Sequence, residues 1–168
     1  MQSWWLAALI VSAAAGAAAA QGTSVALGDF EHDNTLPVEI TSDALALDQA
    51  AGTAVFTGAV KVGQGALRLA ADRLEVFYAA GADGGSGAIE RMEASGNVTL
   101  SNGTEAAEAE RASYVVATGL VEMDGDVLLT QGRNALASER LRIDLVAGTG
   151  QLEGRVQTIF VPGQEPPR

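Results

Sequence analysis

The residues that most often carry chemistry are scarce in this chain and stand far apart. It has one histidine, His32, and no cysteine, so the sequence offers neither a nucleophile with a neighbouring base nor a thiolate. Asp124 and Asp126 flank Gly125 as calcium ligands would, but no further ligands follow at the spacing of a calcium-binding loop. A turn between strands explains this motif better than a metal site. We therefore predict no catalytic residue, no metal and no cofactor, and a protein that is not an enzyme.

Four acidic residues are each followed by a glycine at a repeated distance. The pairs are Asp43 and Gly58, Asp72 and Gly96, Glu110 and Gly125, and Glu139 and Gly154. Three pairs are 15 residues apart, and the second is 24 apart because it contains the glycine-rich stretch 79–87, which we interpret as a loop. A period of about 29 residues is typical of stacked repeats, which bury a core only against their neighbours. The repeats therefore predict an elongated fold that is open at both ends.

Apolar and polar residues alternate from Val38 to Val161, and this period of 2 predicts strands throughout. Each repeated glycine lies inside a strand pattern, where glycine marks a bulge. Each repeated acidic residue precedes a strand, where a carboxylate can accept backbone N–H groups at a bend. Bends at matching places would fold one long sheet into two facing sheets. The segment Glu105–Ala112 is rich in helix formers, but we predict a strand because it falls in register with the other repeats.

The two ends of the chain differ from the repeats. Residues 6–20 are apolar or small and end in Ala18-Ala19-Ala20, which predicts a signal peptide at 1–20 and export; an uncleaved membrane anchor is the alternative. We further predict a flexible leader at 21–36, one β domain at 37–161 and a disordered tail at 162–168. The net charge of −11 argues against nucleic acid as a partner, because its phosphates would repel the protein.

Several motifs resemble one known family. The stretch Ile40–Val76, with I-T-S-D-A-L-A-L-D, F-T-G-A-V-K-V and A-D-R-L-E-V, resembles the OstA-like domain of lipopolysaccharide transport proteins. The signature recurs more weakly in E-A-S-G-N-V-T-L, M-D-G-D-V-L-L and S-E-R-L-R-I-D-L, so the resemblance extends over 37–161. It implies an all-β fold, a twisted open β-jelly-roll of about 12–16 antiparallel strands in two facing sheets with solenoid-like repeats.

The resemblance also implies a function and, for the exported protein, a location in the periplasm. Proteins of this family stack end to end and carry lipopolysaccharide from the inner to the outer membrane, with its acyl chains in an apolar groove between the sheets. The implied partners are lipopolysaccharide, through its lipid A acyl chains, an inner-membrane transporter complex (LptC-like), an outer-membrane translocon (LptD-like) and further copies of the chain, head to tail. Moving an acyl chain from water into such a groove is favourable by about 0.8 kcal/mol per CH₂.

Two sets of residues are candidates for these contacts. Inward-facing positions of the alternating strands are the candidates for the lipid-binding groove: Leu45, Leu47, Phe56, Val60, Val62, Leu67, Leu69, Leu74, Val76, Val98, Leu100, Val121, Met123, Val127, Leu129, Leu141 and Ile143. Edge strands, which can pair with a strand of another protein, are expected at 38–41 and 156–160. Their candidate partner contacts are Val38, Ile40, Val156 and Ile159.

Two other functions remain open at this point. One is the membrane-anchored relative in the same family (LptC-like), which requires residues 4–20 to stay attached. The other is a structural β-repeat scaffold that has a filled core and binds proteins by pairing its edge strands. The alternating Val and Leu residues alone favour a filled core. Only the resemblance favours a lipid groove.

Overall fold

The chain forms one bent antiparallel sheet. The computed structural model describes residues 23–27, 33, 35–80 and 86–161, and every regular element within these ranges is a β-strand. The strands are β1 (Thr23–Ala26), β2 (Glu39–Thr41), β3 (Ala44–Asp48), β4 (Thr53–Gln64), β5 (Leu67–Ala80), β6 (Ser86–Ser101), β7 (Glu105–Val115), β8 (Leu120–Gln131), β9 (Asn134–Asp144), β10 (Thr149–Glu153) and β11 (Gln157–Ile159). The predicted all-β fold is confirmed. His32, the signal peptide and the C-terminal tail lie outside the described residues.

The order of the strands leaves the sheet open. The order is β1-β10-β9-β8-β7-β6-β5-β4-β2, with β3 added to β4 beside β2 and β11 added to β9 beside β10. Strands β4 to β9 follow one another as a meander of antiparallel neighbours. Within the described ranges the two ends of the sheet do not pair with each other, so the sheet does not close into a barrel.

The six long strands, β4 to β9, bend at a row of bulges. Between β4 and β5 the pairing jumps from Thr57 to Val60, so that Gly58 and Ala59 together lie opposite Asp72. Gly58 and Ala59 have φ angles of 80° and 44°, and the corresponding residue pairs in β6 and β8 repeat this conformation. Two successive left-handed residues bend a strand out of its plane. The predicted bulges are present at Gly58, Gly96 and Gly125, whereas Gly154 lies in a bend after the end of β10.

The row of bulges divides the sheet into two arms that pack face to face. Arm I consists of residues 53–57, 73–80, 86–95, 111–115, 120–124 and 140–144 with β1, β3 and β10. Arm II consists of residues 60–64, 67–71, 98–101, 105–109, 127–131 and 134–138 with β2 and β11. The inward residues of both arms belong to one buried cluster. The bend closes one side of this sandwich, and we call the opposite side, where the strands end, the mouth.

Each repeated acidic residue lies against its own glycine. A Cβ atom added to Gly96 would lie 2.5 Å from Asp72 Oδ2, so the bulge has room only for glycine. We expected these carboxylates to accept backbone N–H groups. Instead, the Asp72 carboxylate accepts a hydrogen bond of 2.8 Å from the Asn97 side chain, and Glu139 accepts one of 2.8 Å from Arg155. The fixed spacing thus reflects side-chain packing across the bulge.

The helix formers of segment 105–112 lie in strand β7, as the repeats predict. Ala107 and Ala112 point into the sandwich and are buried, while Glu108 and Glu110 are exposed. Pairing with β6 and β8 on both sides supplies tertiary contacts that outweigh the local helix propensity.

Two expectations need correction. We expected about 12–16 strands, but the described residues form 11 because the long strands continue through the bend instead of breaking there. We also expected a flexible leader at 21–36. Residues Thr23–Ala26 instead form β1 on the free edge of β10, and Leu27 is fully buried in the core. Without β1, one edge of β10 would be unpaired and the core beside it would be exposed. The short segment is therefore ordered by a partner strand that lies far away in sequence.

Leu27 closes the core at the β10 end of arm I, and its replacement tests the contribution of β1. Its Cδ1 atom would lie 2.5 Å from a Cβ atom added to Gly150, so the pair packs closely. We expect Leu27→Ala to lower the free energy of unfolding by about 2–5 kcal/mol, as at other fully buried leucines. Urea unfolding measures this value, with Ser24→Ala at an exposed position of β1 as the control. A loss below about 1 kcal/mol, typical of surface positions, would contradict an anchoring role for β1.

Candidate functional site

An apolar seam runs between the two arms from one end of the sheet to the other. On arm I, directly paired inward residues form the row Phe56, Leu74, Ala94, Ala112, Met123, Leu141 and Leu152. On arm II, the facing row consists of Val62, Leu69, Leu100, Ala107, Leu129 and Leu136. Directly opposed residues of neighbouring strands pack on each other. The two rows therefore make a continuous apolar strip that crosses strand after strand.

A small cavity lies within the seam between β4 and β8. Its volume is about 30 Å³, which is room for about one water molecule. The lining residues are Val62, Gln64, Leu67, Leu69, Leu74, Met92, Ala94, Leu100, Ala112, Ser113, Tyr114 and Val121. The cavity coincides with two paired alanines, Ala94 and Ala112, in a row of mostly larger residues. Both arms contribute residues to it, so the cavity lies between the two arms.

The predicted groove residues fall into three groups by exposure. Thirteen are buried: Val60, Val62, Leu67, Leu74, Val76, Val98, Leu100, Val121, Met123, Val127, Leu129, Leu141 and Ile143. Phe56 and Leu69 are half-buried against this core. Leu45 and Leu47, on the edge strand β3, are 51% and 68% exposed. The first two groups lie in one cluster, whereas the two leucines of β3 pair with Phe56 and Ala54 at the outer edge of arm I.

The seam is closed in this structure. Leu100 is 2% exposed and Leu129 is fully buried, because the inward rows of the two arms fill the space between them. An acyl chain is far larger than a cavity of about 30 Å³, so it can enter only if the arms move apart. The arms share backbone pairing through the bend, while side-chain hydrogen bonds cross the mouth. One runs from Gln131 Nε2 to the Ala26 carbonyl oxygen at 3.2 Å.

A second hydrogen bond across the mouth joins two buried polar residues that the sequence analysis missed. The Tyr114 hydroxyl of arm I donates to Gln64 Oε1 of arm II at 3.4 Å. Burial raises the pKa of the Tyr114 hydroxyl above its ordinary value. The cavity residues Met92, Ala94 and Ala112 were also missed. These residues follow the same alternation as the predicted groove residues, and that alternation could have identified them. Alanine and tyrosine occur on either face of a sheet, so their residue types alone do not indicate an inward position.

The predicted edge strands lie at opposite ends of the sheet. Val38 and Ile40 flank or belong to β2, whose one partner among the described strands is β4. Val156 and Ile159 flank or belong to β11, which pairs with β9 in the same way. Val38, Ile40 and Val156 are half-buried, and Ile159 is 67% exposed. The two predicted sets are therefore not brought together in one chain, and each occupies its own end.

The outer face of the sheet is charged. Arg142 donates to Glu122 at 2.6 Å, and Arg140 donates to Asp124 at 2.9 Å, from β9 to β8. Such exposed pairs contribute about 0–1 kcal/mol each and chiefly keep the outer face in water. Across the described ranges, no group of three or more metal-binding side chains comes together. The same part of the chain contains no helix long and apolar enough to span a membrane.

Comparison with known proteins identifies relatives of this fold. Residues 39–149 match the family model of the LptA/(LptD N-terminal domain) LPS transport protein. An uncharacterized protein from Rhizobium meliloti (strain 1021), R00383, is 40% identical over 108 residues, which cover 62% of this chain and 58% of that protein. The matched region thus spans less than two thirds of the length of this relative.

A solved structure has the same fold. It is the crystal structure of LptH, described as the LptA homologous periplasmic component of the conserved lipopolysaccharide transport device from Pseudomonas aeruginosa. The TM-score is 0.67 at 18% identity, over 77% of this chain and 99% of LptH. The predicted open β-jelly-roll is therefore confirmed. The resemblance on which the prediction depended is confirmed too, because the family model covers more than half of the chain. The members of the matched family are transport proteins and not enzymes. This chain belongs to that family, the LptA/LptD N-terminal-domain family of lipopolysaccharide transport proteins.

Proposed function

We propose that this protein is a periplasmic carrier that holds the acyl chains of lipopolysaccharide in the seam between its arms and forms part of a bridge from the inner to the outer membrane. The observation that carries the proposal is the continuous apolar strip, which crosses the sheet and ends at two open edges. A strip of Val, Leu and Ala binds a saturated chain without demanding a fixed shape. The periplasmic description of LptH and the predicted export signal at 1–20 support the location.

Entry of the lipid requires the arms to part, and the bulge row is suited to act as their hinge. The long strands cross the bend at paired left-handed residues such as Gly125 and Asp126, where the regular ladder is interrupted. Rotation about this row leaves the backbone pairing within each arm intact. The cost is the exposure of inward rows, which an entering acyl chain would cover again at about 25 cal/mol per Å².

Bridge formation would use the open ends of the sheet. Strands β2 and β3 at one end and β1 and β11 at the other have backbone groups that can pair with a further strand. We propose head-to-tail pairing with further copies, and pairing with an inner-membrane LptC-like component and an outer-membrane LptD-like component. The exposed Leu45 and Leu47 on β3 would then continue the apolar strip into the next copy.

One observation favours a second candidate, a scaffold that binds proteins by its edge strands and carries no lipid. Apart from one small cavity, the inward rows of the two arms pack against each other, as in a sandwich that never opens. This candidate shares the edge pairing but predicts that no lipid enters the seam.

The membrane-anchored alternative requires residues 4–20 to stay attached. The mass of the mature protein tests it, because cleavage after residue 20 would exclude it.

Photocrosslinking in a lipopolysaccharide-producing bacterium distinguishes the carrier from the scaffold. A photoreactive phenylalanine analogue at Phe56 or at Leu69 lies in the half-buried border of the seam, where the analogue can be accommodated. We expect both positions to label lipopolysaccharide, detected as a mass shift that reacts with an antibody against it. The control position is Glu90, which is exposed on β6.

The amount of lipopolysaccharide labelled at the two seam positions is compared with the amount labelled at Glu90. Labelling at Phe56 and Leu69 but not at Glu90 supports the carrier. If the seam positions label no more strongly than Glu90, the lipid does not enter the seam. The scaffold would then be the better description.

A further inference from the structure

Tyr114 and Gln64 are placed at the mouth of the seam from opposite arms. Tyr114 is one residue before the end of β7, and Gln64 is the last residue of β4. Their strands reach the bend at Glu110 and Gly58, so each lies several residues away from it. The two side chains therefore meet where the strands end, at the side of the cavity farthest from the bend.

Both side chains are enclosed although both are polar. Tyr114 is 6% exposed and Gln64 is 4% exposed, and both line the otherwise largely apolar cavity. A buried hydroxyl is stable only when it is hydrogen-bonded. The bond from Tyr114 to Gln64 Oε1 is 3.4 Å long, whereas O–H···O bonds are ordinarily about 2.5–3.0 Å. The Tyr114 hydroxyl is thus weakly held and can both donate and accept.

The position of this hydroxyl along the depth of the seam indicates what it would meet. An acyl chain in the seam has its apolar end toward the bend and its carboxyl end toward the mouth, because the polar part of the lipid stays in water. Tyr114 is therefore level with the first carbons of the chain. A hydroxyl group near the carboxyl end would lie within its reach, whereas a plain chain would present only CH₂ groups there.

We propose that Tyr114 is a specificity-determining residue that recognises a hydroxyl group close to the carboxyl end of the bound acyl chain. This inference rests on the proposed function. When the arms part, the 3.4 Å bond to Gln64 breaks, and the Tyr114 hydroxyl needs a new partner. A hydroxylated chain supplies one, and a plain chain leaves the tyrosine hydroxyl unpaired in an apolar seam. Sites built around a buried hydroxyl discriminate in this manner against ligands that lack the matching group.

The test compares two fatty acids that differ by one hydroxyl group. Purified full-length protein is titrated with tetradecanoic acid and with 3-hydroxytetradecanoic acid, each displacing an anthroyloxy-labelled stearic acid. We expect the ratio of the two affinities to shift against the hydroxylated acid by roughly 2–10-fold in Tyr114→Phe, the effect of one hydrogen bond. The affinity for tetradecanoic acid should stay the same or rise. The other tyrosine of the chain provides the control, because Tyr78 is half-buried but does not line the cavity.

Each outcome bears on the inference. The deciding quantity is the affinity for 3-hydroxytetradecanoic acid divided by the affinity for tetradecanoic acid. A fall of this ratio in Tyr114→Phe but not in Tyr78→Phe supports the inference, provided that thermal unfolding shows both variants folded. An equal ratio in wild type and Tyr114→Phe overturns it while leaving the carrier function intact. If neither acid binds to the wild-type protein, the proposed function itself fails, and the specificity of Tyr114 fails with it.

Discussion

A Gly125→Val variant is expected to lose about 3–6 kcal/mol of folding free energy, a large part of the total stability of a domain of this size. Gly125 lies in the middle of β8 with a φ of 87°. A β-branched residue in this conformation is strained by about 1–3 kcal/mol. Its Cβ atom would also lie 2.7 Å from Glu110 Oε2 and 2.8 Å from Glu110 Cγ, so the carboxylate must leave the bulge. Urea unfolding measures the loss.

The control for this prediction is the same substitution at a glycine of similar backbone but free surroundings. Gly132, in the turn between β8 and β9, has a φ of 59°, and a Cβ atom added there meets nothing within 4 Å. Gly132→Val should therefore show the conformational strain alone. Equal losses at Gly125 and Gly132 would mean that packing of Glu110 across the bulge contributes nothing. No loss at Gly125 would mean that the bend forms without the glycine.

The bend was predictable because its causes are local in sequence. A glycine within an alternating strand pattern indicates a bulge or a close approach of two backbones. Four copies, each with a matching acidic residue, favour a repeated bulge that bends the sheet. Register with the other repeats also correctly predicted a strand for Glu105–Ala112, which lies in β7, against its helix propensity. The sequence did not reveal that Asp72 holds Asn97 and Glu139 holds Arg155 across the bulge. Those contacts form only in the folded sheet, which brings the residue after each glycine next to an acidic residue of another part of the chain.

Two features could not be predicted because their causes are distant in sequence. Strand β1 at Thr23–Ala26 exists through its pairing with Thr149–Leu152, and its own four residues carry little β signal. The closure of the seam is the second. Alternating Leu and Val residues are the same whether two sheets touch or leave a groove, so Leu129 and Leu141 gave no sign of being fully buried. The transport role that we propose therefore requires the two arms to part, because the seam between them is closed.

The second large effect is expected where a charge enters the seam without unfolding the protein. Leu100→Asp is unsuitable, because Leu100 is 2% exposed and an unpaired carboxylate there would destabilise the fold by several kcal/mol. Leu69 is its direct neighbour on β5, lines the cavity and is only half-buried, so a carboxylate at this position can reach water while the arms are closed. An acyl chain in the seam would remove that water. We expect Leu69→Asp to bind lipopolysaccharide at least about 100-fold more weakly, corresponding to about 3 kcal/mol.

The matched control places the same charge one residue away. Ala70 is exposed on the outer face of the same strand, so Ala70→Asp adds an identical carboxylate at nearly the same place in sequence without entering the seam. Lipid extracted from both variants after purification from a lipopolysaccharide-producing host, and quantified by mass spectrometry, compares them directly. Loss of lipid in Leu69→Asp but not in Ala70→Asp, with both folded, means that the acyl chain contacts the inward face. Equal lipid in the two variants would place the ligand outside the seam, because a chain lying between the arms cannot pass Leu69 without desolvating the carboxylate that replaces it.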